Sequence, residues 1–106
     1  MKKQLKIKSI NFYHDPDDTG VAYEANDDEE VCVTLEDGRQ LYCWFFTLDK
    51  IKTIMMRHRL SGESNKGTYF WATNMIVIEK IDKDNMIKTL RHLIEKDNDL
   101  SLFDEV

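Results

Sequence analysis

Residues 31–46 read VCVTLEDGRQLYCWFF, and this stretch decides the fold. Its two halves are rich in β-branched and aromatic side chains, which are typical of strands. Between the halves stands Asp37-Gly38, a pair that favours the tight turn of a β-hairpin. The stretch therefore predicts two antiparallel strands, residues 31–36 and 39–46.

The same hairpin predicts the state of the two cysteines. If Asp37-Gly38 is a two-residue turn, Cys32 stands opposite Cys43 in a hydrogen-bonded pair, at a spacing that a disulfide can bridge. The side chains of such a pair point less favourably for a disulfide, and the cytosol keeps thiols reduced. We expect two free, largely buried thiols. A three-residue turn would break this register.

The segments around the hairpin predict further elements. Residues 4–14 alternate between apolar and polar with a change of phase near Ser9, which predicts a strand that a bulge can interrupt. Thr47 is placed to cap a helix over residues 48–60. Ser61-Gly62 marks the end of this helix.

The last third of the chain predicts a strand region and a second helix. Residues 68–80 read as one long strand or two short ones, and their apolar character on both faces predicts the centre of the sheet. Asp82 or Asp84 is expected to cap an amphipathic helix that ends near Lys96. The tail, residues 100–103, is expected to pack back as an edge strand or a turn.

These elements indicate an α+β fold in a single domain, residues 1–106. We predict an antiparallel sheet of four to five strands with two helices packed on one face. A chain of 106 residues with 42% apolar residues is long enough for one hydrophobic core. Trp44 and Trp71 are expected in or beside this core, and a surface aromatic patch is the alternative.

An acidic stretch precedes the hairpin. Residues 15–30 contain eight Asp and Glu residues and no Lys or Arg, although the formal charge of the whole chain is only -5. We expect a loop here, with a short strand at residues 21–23 as an alternative. So concentrated a negative charge favours a positively charged partner, and it argues against direct nucleic-acid binding, which depends on neutralising phosphates.

The N-terminal residues do not predict a targeting or membrane segment. The basic start is followed by Lys6, Lys8, Ser9 and Asn11, which interrupt any apolar stretch. The sequence also lacks a run of about 18 apolar residues. We expect a soluble, cytoplasmic protein without membrane contact.

Two motif-like patterns fall in the acidic stretch. Asp15-Pro16-Asp17-Asp18-Thr19 is similar to the nucleophile motif of haloacid dehalogenase-type phosphatases, but that fold requires a parallel sheet and further motifs. Residues 15–26 place oxygen ligands as an EF-hand loop does, but Asn26 replaces the bidentate Glu and a strand precedes the loop. Weak, irregular calcium binding remains open.

Two more patterns follow the first helix. Residues 62–68 resemble a phosphate-binding P-loop, but Thr68 stands where the motif requires Lys. Ser64 lacks the Gly-x-Ser-x-Gly spacing of a nucleophile elbow. The three histidines fall in three different elements, so a Cys–His pair that meets only in space remains open. We predict no catalytic residue, no cofactor and no metal.

In its general sequence features the chain resembles the small acidic immunity proteins that bacteria keep in the cytoplasm against toxins. Many of these toxins are basic nucleases. The resemblance rests on size, on the acidic residues 15–30, and on the hairpin that leads to residues 67–79, GTYFWATNMIVIE. It implies a non-catalytic, tight, one-to-one protein inhibitor, and it transfers no binding residue by correspondence.

We therefore expect a non-enzymatic domain that neutralises a basic protein partner. The carboxylates of the acidic stretch are expected to make the electrostatic contact, with an aromatic anchor among them; these residues are Asp15, Asp17, Asp18, Tyr23, Asp27, Asp28, Glu29 and Glu30.

Two alternatives remain open. One is a small enzyme or ligand-binding protein with a site near Cys43, Trp44 and Trp71. The other is a structural homo-oligomer with Trp44, Phe46 or Phe70 at a self-interface.

Overall fold

The computed structural model describes residues 4–13 and 28–106. Five strands form one sheet: β1 is Ile7–Phe12, β2 Asp28–Leu35, β3 Gln40–Phe46, β4 Met75–Val77 and β5 Asp104–Glu105. The helices are α1 Leu48–Ser61, α2 Glu63–Gly67 and α3 Lys83–Arg91, and α3 continues as a π-helical turn over His92–Lys96. The predicted α+β class is confirmed.

The sheet is antiparallel from β1 through β3, and its last edge is divided. β4 runs parallel to β3 and pairs with its residues 44–46. β5 runs antiparallel and pairs with Leu41 and Tyr42 on the same edge of β3. Two short strands therefore share one edge of β3, while β2 covers the other edge along its length.

The predicted hairpin is confirmed, but its predicted register is wrong. The Leu35 amide donates to the Arg39 carbonyl at 2.8 Å, so the loop contains three residues, 36–38. Gly38 has a φ of 96°, a conformation that favours glycine, and the Asp37 carboxylate accepts from the Arg39 amide at 3.0 Å. The Asp37 side chain thus closes a turn within the loop, and the loop contains three residues instead of the two that were predicted.

The three-residue loop separates the two cysteines. Cys32 now pairs with Tyr42, and Cys43 pairs with Val31. Because successive residues of a strand point to opposite faces, the two thiols lie on opposite faces of the sheet. Both are free, as predicted, and Cys43 is buried whereas Cys32 is half-buried.

The other local signals agree with the structure. The pairing of β1 with β2 shifts between Ile7 and Ser9, where the sequence changes phase. The Thr47 hydroxyl accepts from the Lys50 amide at 3.1 Å, and Gly62, with a φ of 86°, ends α1.

The end of the chain also follows its sequence signals. Asp82 caps α3 by accepting from the amides of Asp84 and Asn85 at 2.9 and 3.3 Å. Residues 101–102 form the predicted turn, which leads into β5. Phe103, which lies between this turn and β5, packs into the core.

Residues 68–80 do not form the centre of the sheet, so that prediction is wrong. Only Met75–Val77 is a strand, and it lies at an edge. Asn74 has a left-handed φ of 60° and forms a turn with Thr73, which ends any strand before Met75. The apolar residues 70–72 line a groove beside α1 and β3, and the described strands do not flank them on both sides.

One hydrophobic core lies between the sheet and α3. Its largest fully buried residues from β3 and α3 are Phe45, Met86 and Leu90, and Ile94 of the π-helical turn joins them. This packing differs from the expected two helices on one face, because α1 lies beside side chains of the other face and has no buried residue. α1 packs mainly on α2.

The first strand is tied to the end of the last helix. The Ile7 amide donates to the Glu95 carboxylate at 3.0 Å, and the Leu5 amide donates to the Asn98 side chain at 3.4 Å. These contacts cover the start of an edge strand, whose exposed amides would otherwise be open to pairing. No helix within residues 4–13 and 28–106 is long and apolar enough to cross a membrane.

Candidate functional site

The outer face of the sheet carries an aromatic row. Alternation along β3 sends Leu41, Cys43 and Phe45 to the core, and it sends Tyr42, Trp44 and Phe46 to the opposite face. We call this second face the outer face. A strand that is apolar on both sides needs cover on both sides, and the described residues cover the outer face only in part.

A groove of about 730 Å³ runs between the aromatic row and α1. The floor is formed by Tyr42, Trp44 and Phe46, and the α1 wall by Lys50, Ile54 and Arg57. Residues 70–74 form the opposite wall. The acidic residues that line the groove are Asp28 and Asp104. This volume lies in the range of about 300–1,000 Å³ that is typical of ligand sites.

Carboxylates of β2 hold the polar ends of two floor rings. Trp44 Nε1 donates to Asp28 Oδ2 at 3.0 Å, and the Tyr42 hydroxyl donates to Glu30 Oε1 at 2.9 Å. In each case the ring reaches diagonally to the acid two residues beyond the paired position, since Trp44 pairs with Glu30. Asp28 also lies 3.5 Å from Lys50 Nζ, which ties α1 to the sheet.

The aromatic rings extend from a buried centre to an exposed rim. Phe46 is 1% exposed and packs against Trp44, with ring centroids 4.7 Å apart, and against Phe70 at 5.4 Å. Trp71 is 69% exposed at the rim. An exposed tryptophan beside a buried aromatic cluster has the character of a binding anchor, which was the alternative for this residue.

Asn74 fixes the wall opposite α1. Its carbonyl accepts from the Trp44 amide at 2.9 Å, and its side-chain Nδ2 donates to the Leu102 carbonyl at 2.7 Å. Its Oδ1 is buried without a hydrogen-bond partner among the described residues. Asn74 thus connects the groove wall to the turn before β5.

Burial and the nearby acid keep the Tyr42 hydroxyl protonated. Burial, followed by the hydrogen bond to Glu30 and its charge, raises the pKa of Tyr42 to about 12. The phenol therefore remains a neutral donor at neutral pH. The groove consequently presents ring faces, while its phenol and indole donors are engaged by carboxylates.

Cys43 does not belong to this groove. It lies in the core on the other face, and burial raises the pKa of its thiol to about 12, with Cys32 as the second cause. Of the site proposed as an alternative, the structure brings together Trp44 and Trp71 but not Cys43. Among the residues described, neither His nor Cys lines the groove.

The expected partner-binding residues divide into two sets. Asp15, Asp17, Asp18, Tyr23 and Asp27 lie outside the described residues, as do the short strand expected at residues 21–23 and the calcium-like pattern at residues 15–26. Asp28, Glu29 and Glu30 lie within the described residues.

Asp28, Glu29 and Glu30 belong to β2 and not to a loop, which corrects the predicted start of the strand. Asp28 lines the groove and Glu30 lies on the same outer face, whereas Glu29 pairs with Phe45 on the core face and is 1% exposed. The strand begins earlier because its alternation continues through these acids, each with its own neighbour on β3.

The groove itself was missed by sequence reasoning. The available signal was the alternation of Tyr42, Trp44 and Phe46 against Cys32, Glu30 and Asp28, but it needed the register of the three-residue loop. A self-interface through Phe46 is not favoured, because that side chain is already buried within its own chain.

The described residues contain no group of three or more His, Cys, Asp or Glu side chains that could hold a metal ion. No family model matches this chain, and comparison with curated proteins and with solved structures gave no significant match. The groove and the charge pattern are therefore the features that indicate function.

Proposed function

We propose that this chain is a non-catalytic protein-binding domain that neutralises a basic protein partner, as an immunity-type inhibitor neutralises a toxin. One observation carries the proposal: the acidic stretch enters the sheet at Asp28, which is itself part of the aromatic groove. Concentrated negative charge thus leads directly to exposed aromatic rings.

This combination suits capture of a basic protein. Acidic residues steer a positively charged partner and raise the association rate, chiefly at low salt. Aromatic side chains supply the area that a stable complex needs, and Trp and Tyr are enriched among the residues that dominate binding energy. In this proposal Asp15, Asp17, Asp18, Asp27, Asp28 and Glu30 attract the partner, and the groove holds it. Glu29 takes no part, because it is buried on the core face.

The groove gives little support to catalysis. Nucleophilic and acid–base mechanisms need a nucleophile beside a placed base. Cys43 is on the other face, and His58 lies 3.5 Å from Glu63 of α2. The proposal therefore assigns the groove to binding.

The volume of the groove favours a second candidate, a small-ligand-binding protein. A groove of about 730 Å³ is large enough to accommodate a molecule of drug size. Arg57 on the α1 wall would then contact an anionic group of the ligand. A purified protein partner that occupies the groove would contradict this candidate.

The test begins with affinity capture from the source cells and their culture fluid, followed by purification of the captured basic protein. Association of the purified pair is then measured at low and at moderate salt. Asp15→Asn, Asp17→Asn and Asp18→Asn combined should slow association at low salt by about tenfold or more, because steering is lost. We expect a one-to-one complex.

The control changes the net charge equally at another place. Glu36→Gln, Glu79→Gln and Glu105→Gln combined replace three exposed carboxylates outside the acidic stretch. This variant should associate nearly as fast as the natural chain. Equal association rates for the two triple variants, or no basic protein that binds in purified form, would contradict the proposal.

A further inference from the structure

We infer that the groove binds the cationic side chain of an arginine, carried on an extended basic segment of the partner. The inference deepens the proposed function and rests on it. It assigns the groove a defined occupant and names Trp71 and Asp104 as the residues that select it.

The floor rings offer their faces and not their polar ends. The Tyr42 hydroxyl and the Trp44 indole N–H already donate to Glu30 and Asp28, at 2.9 and 3.0 Å. A ligand in the groove therefore meets π faces, which carry negative potential and attract cations. The hydrogen bonds from the ring donors to carboxylates make the negative potential of these faces stronger.

Within residues 4–13 and 28–106, no cation occupies these ring faces. Among the described residues, no Lys or Arg lies over the ring of Trp44 or Trp71. Trp71 is 69% exposed and stands at the rim, where an incoming side chain meets it first. A guanidinium is planar and stacks on an indole face, so arginine suits this position better than lysine does.

Carboxylates provide the second half of the recognition. Tyr42 is paired on β5 with Asp104 and is hydrogen-bonded on β2 to Glu30, so one ring lies between two acids. Asp104 is exposed and takes part in no ion pair within the described residues. A guanidinium over the floor can therefore donate to Asp104.

The outer face has room for more than one side chain of an extended segment. A second hollow of about 250 Å³ adjoins the groove and shares Tyr42 with it. Its lining includes Tyr13 and Cys32, and it is largely apolar. Neighbouring positions of a bound segment can thus lie on either side of the Tyr42 ring.

Two cations of the α1 wall, Lys50 and Arg57, would repel a bound cation. A substitution here therefore shows whether the groove binds positive or negative charge. Lys50 is balanced by Asp28 at 3.5 Å, so Arg57 is the exposed positive residue of the α1 wall. If the groove binds a cation, removal of Arg57 should tighten binding. If it binds an anionic molecule, the same change should weaken binding.

The experiment uses the two tryptophans of the chain, both of which line the groove. Capped peptides of alternating Gly and Arg, Gly and Gln, or Gly and Glu are titrated into the full chain, and tryptophan fluorescence is recorded. The Arg peptide should give a saturable change, and the Gln and Glu peptides should give none at the same concentrations.

Variants locate the bound peptide. Trp71→Leu should weaken the Arg peptide by about three- to tenfold, the range expected for loss of a partly desolvated cation–π contact. Asp104→Asn should weaken it by about two- to fivefold, and Arg57→Gln should tighten it at low salt. Tyr69→Leu is the matched control, because Tyr69 is 50% exposed, stands two positions away and does not line the groove.

Three results would overturn the inference: no response to the Arg peptide, a response to the Glu peptide that equals it, or weaker binding after Arg57→Gln. Experiments with the purified partner distinguish failure of this inference from failure of the proposed function. If the partner's association depends on residues 15–18 but not on Trp71, only the arginine site is wrong. If the Arg peptide binds but no basic protein does, only the proposed function is wrong.

Discussion

The helices α1 and α3 begin alike and pack differently. Each has a side-chain cap at its N-terminus, Thr47 for α1 and Asp82 for α3. α3 and its π-helical continuation bury Met86, Leu90 and Ile94 completely, whereas the 14 residues of α1 include no buried one. Good caps are thus compatible with opposite degrees of packing.

This difference separates the part of the sheet that stabilises the fold from the part available for binding. A helix of fewer than about 12–15 residues is marginal in water, and most helical stability in proteins comes from packing. α3 obtains this stability from the core face. α1 relies on α2 and on contacts along the groove such as the Lys50–Asp28 pair.

The largest expected effect contrasts one leucine of each helix. Leu90→Ala should lower the free energy of unfolding by about 2–5 kcal/mol, because it leaves a cavity in a close-packed core. Leu90 is 0% exposed and Leu60 is 91% exposed. Leu60→Ala should change the same free energy by less than about 0.5 kcal/mol. Urea denaturation followed by circular dichroism measures both.

A loss at Leu60 comparable to that at Leu90 would show that α1 is packed as tightly as α3. It would remove the contrast on which the groove assignment depends. The expected equal slopes of the two unfolding curves would confirm that the same state unfolds in both variants.

The next effect concerns the contact between α1 and α2. Gly62 and Gly67 both have positive φ, 86° and 73°, so alanine at either position costs about 1–2 kcal/mol of backbone strain. A Cβ at Gly67 would also overlap the Met55 carbonyl oxygen, whereas nothing lies within 4 Å at Gly62. Gly67→Ala should therefore cost more than Gly62→Ala.

Amide hydrogen exchange shows where that cost falls. In Gly67→Ala we expect faster exchange in α1 and unchanged exchange in α3, because α2 packs mainly on α1. Equal exchange profiles in the two glycine variants would mean that Gly67 is not the contact that holds α1.

The smallest effect concerns the outer face. Tyr42→Phe removes the hydrogen bond to Glu30 and should cost about 0.5–1.5 kcal/mol at neutral pH. The pKa of Tyr42 is raised from 10.0 to about 12 by burial and by Glu30, so its contribution is complete below pH 10 and is lost as the pH rises through 12. The cost of Tyr42→Phe should therefore shrink above pH 10.

Urea unfolding at pH 8, 10 and 11 measures this trend. Tyr69→Phe is the matched control, since Tyr69 is half exposed, and it should show little cost at any of these values. A Tyr42→Phe cost that stays constant up to pH 11 would contradict the raised pKa.

Local signals predicted the elements of the fold well. The caps Thr47 and Asp82, the stop at Gly62 and the phase change at Ser9 act within a few residues, so the sequence displays them directly. The hairpin was predicted from Asp37-Gly38, but its register was not, because the side-chain turn to Arg39 adds a residue to the loop. One residue of shift moves every side chain to the other face.

The groove could not be predicted, because its walls come together only in space. Apolar residues at positions 70–72 suggested a central strand, and the left-handed Asn74 turns them into a wall instead. Asp28 and Glu30 suggested a solvated loop, since acids are rare in sheets. Their role at Trp44 and Tyr42 follows from strand pairing, which no local pattern contains.

The contacts between the first strand and the last helix affect how the chain folds during synthesis. The amides of Leu5 and Ile7 find their partners 93 and 88 residues later in the sequence. At a translation rate of about 5–20 residues per second, β1 waits roughly 4 to 18 seconds for Glu95 to be made. During this time the hairpin β2–β3 can form, but its apolar face lacks α3. A nascent chain in this interval leaves the core-facing side chains of β2 and β3 uncovered, and synthesis of α3 and the π-helical turn supplies Met86, Leu90 and Ile94 to cover them.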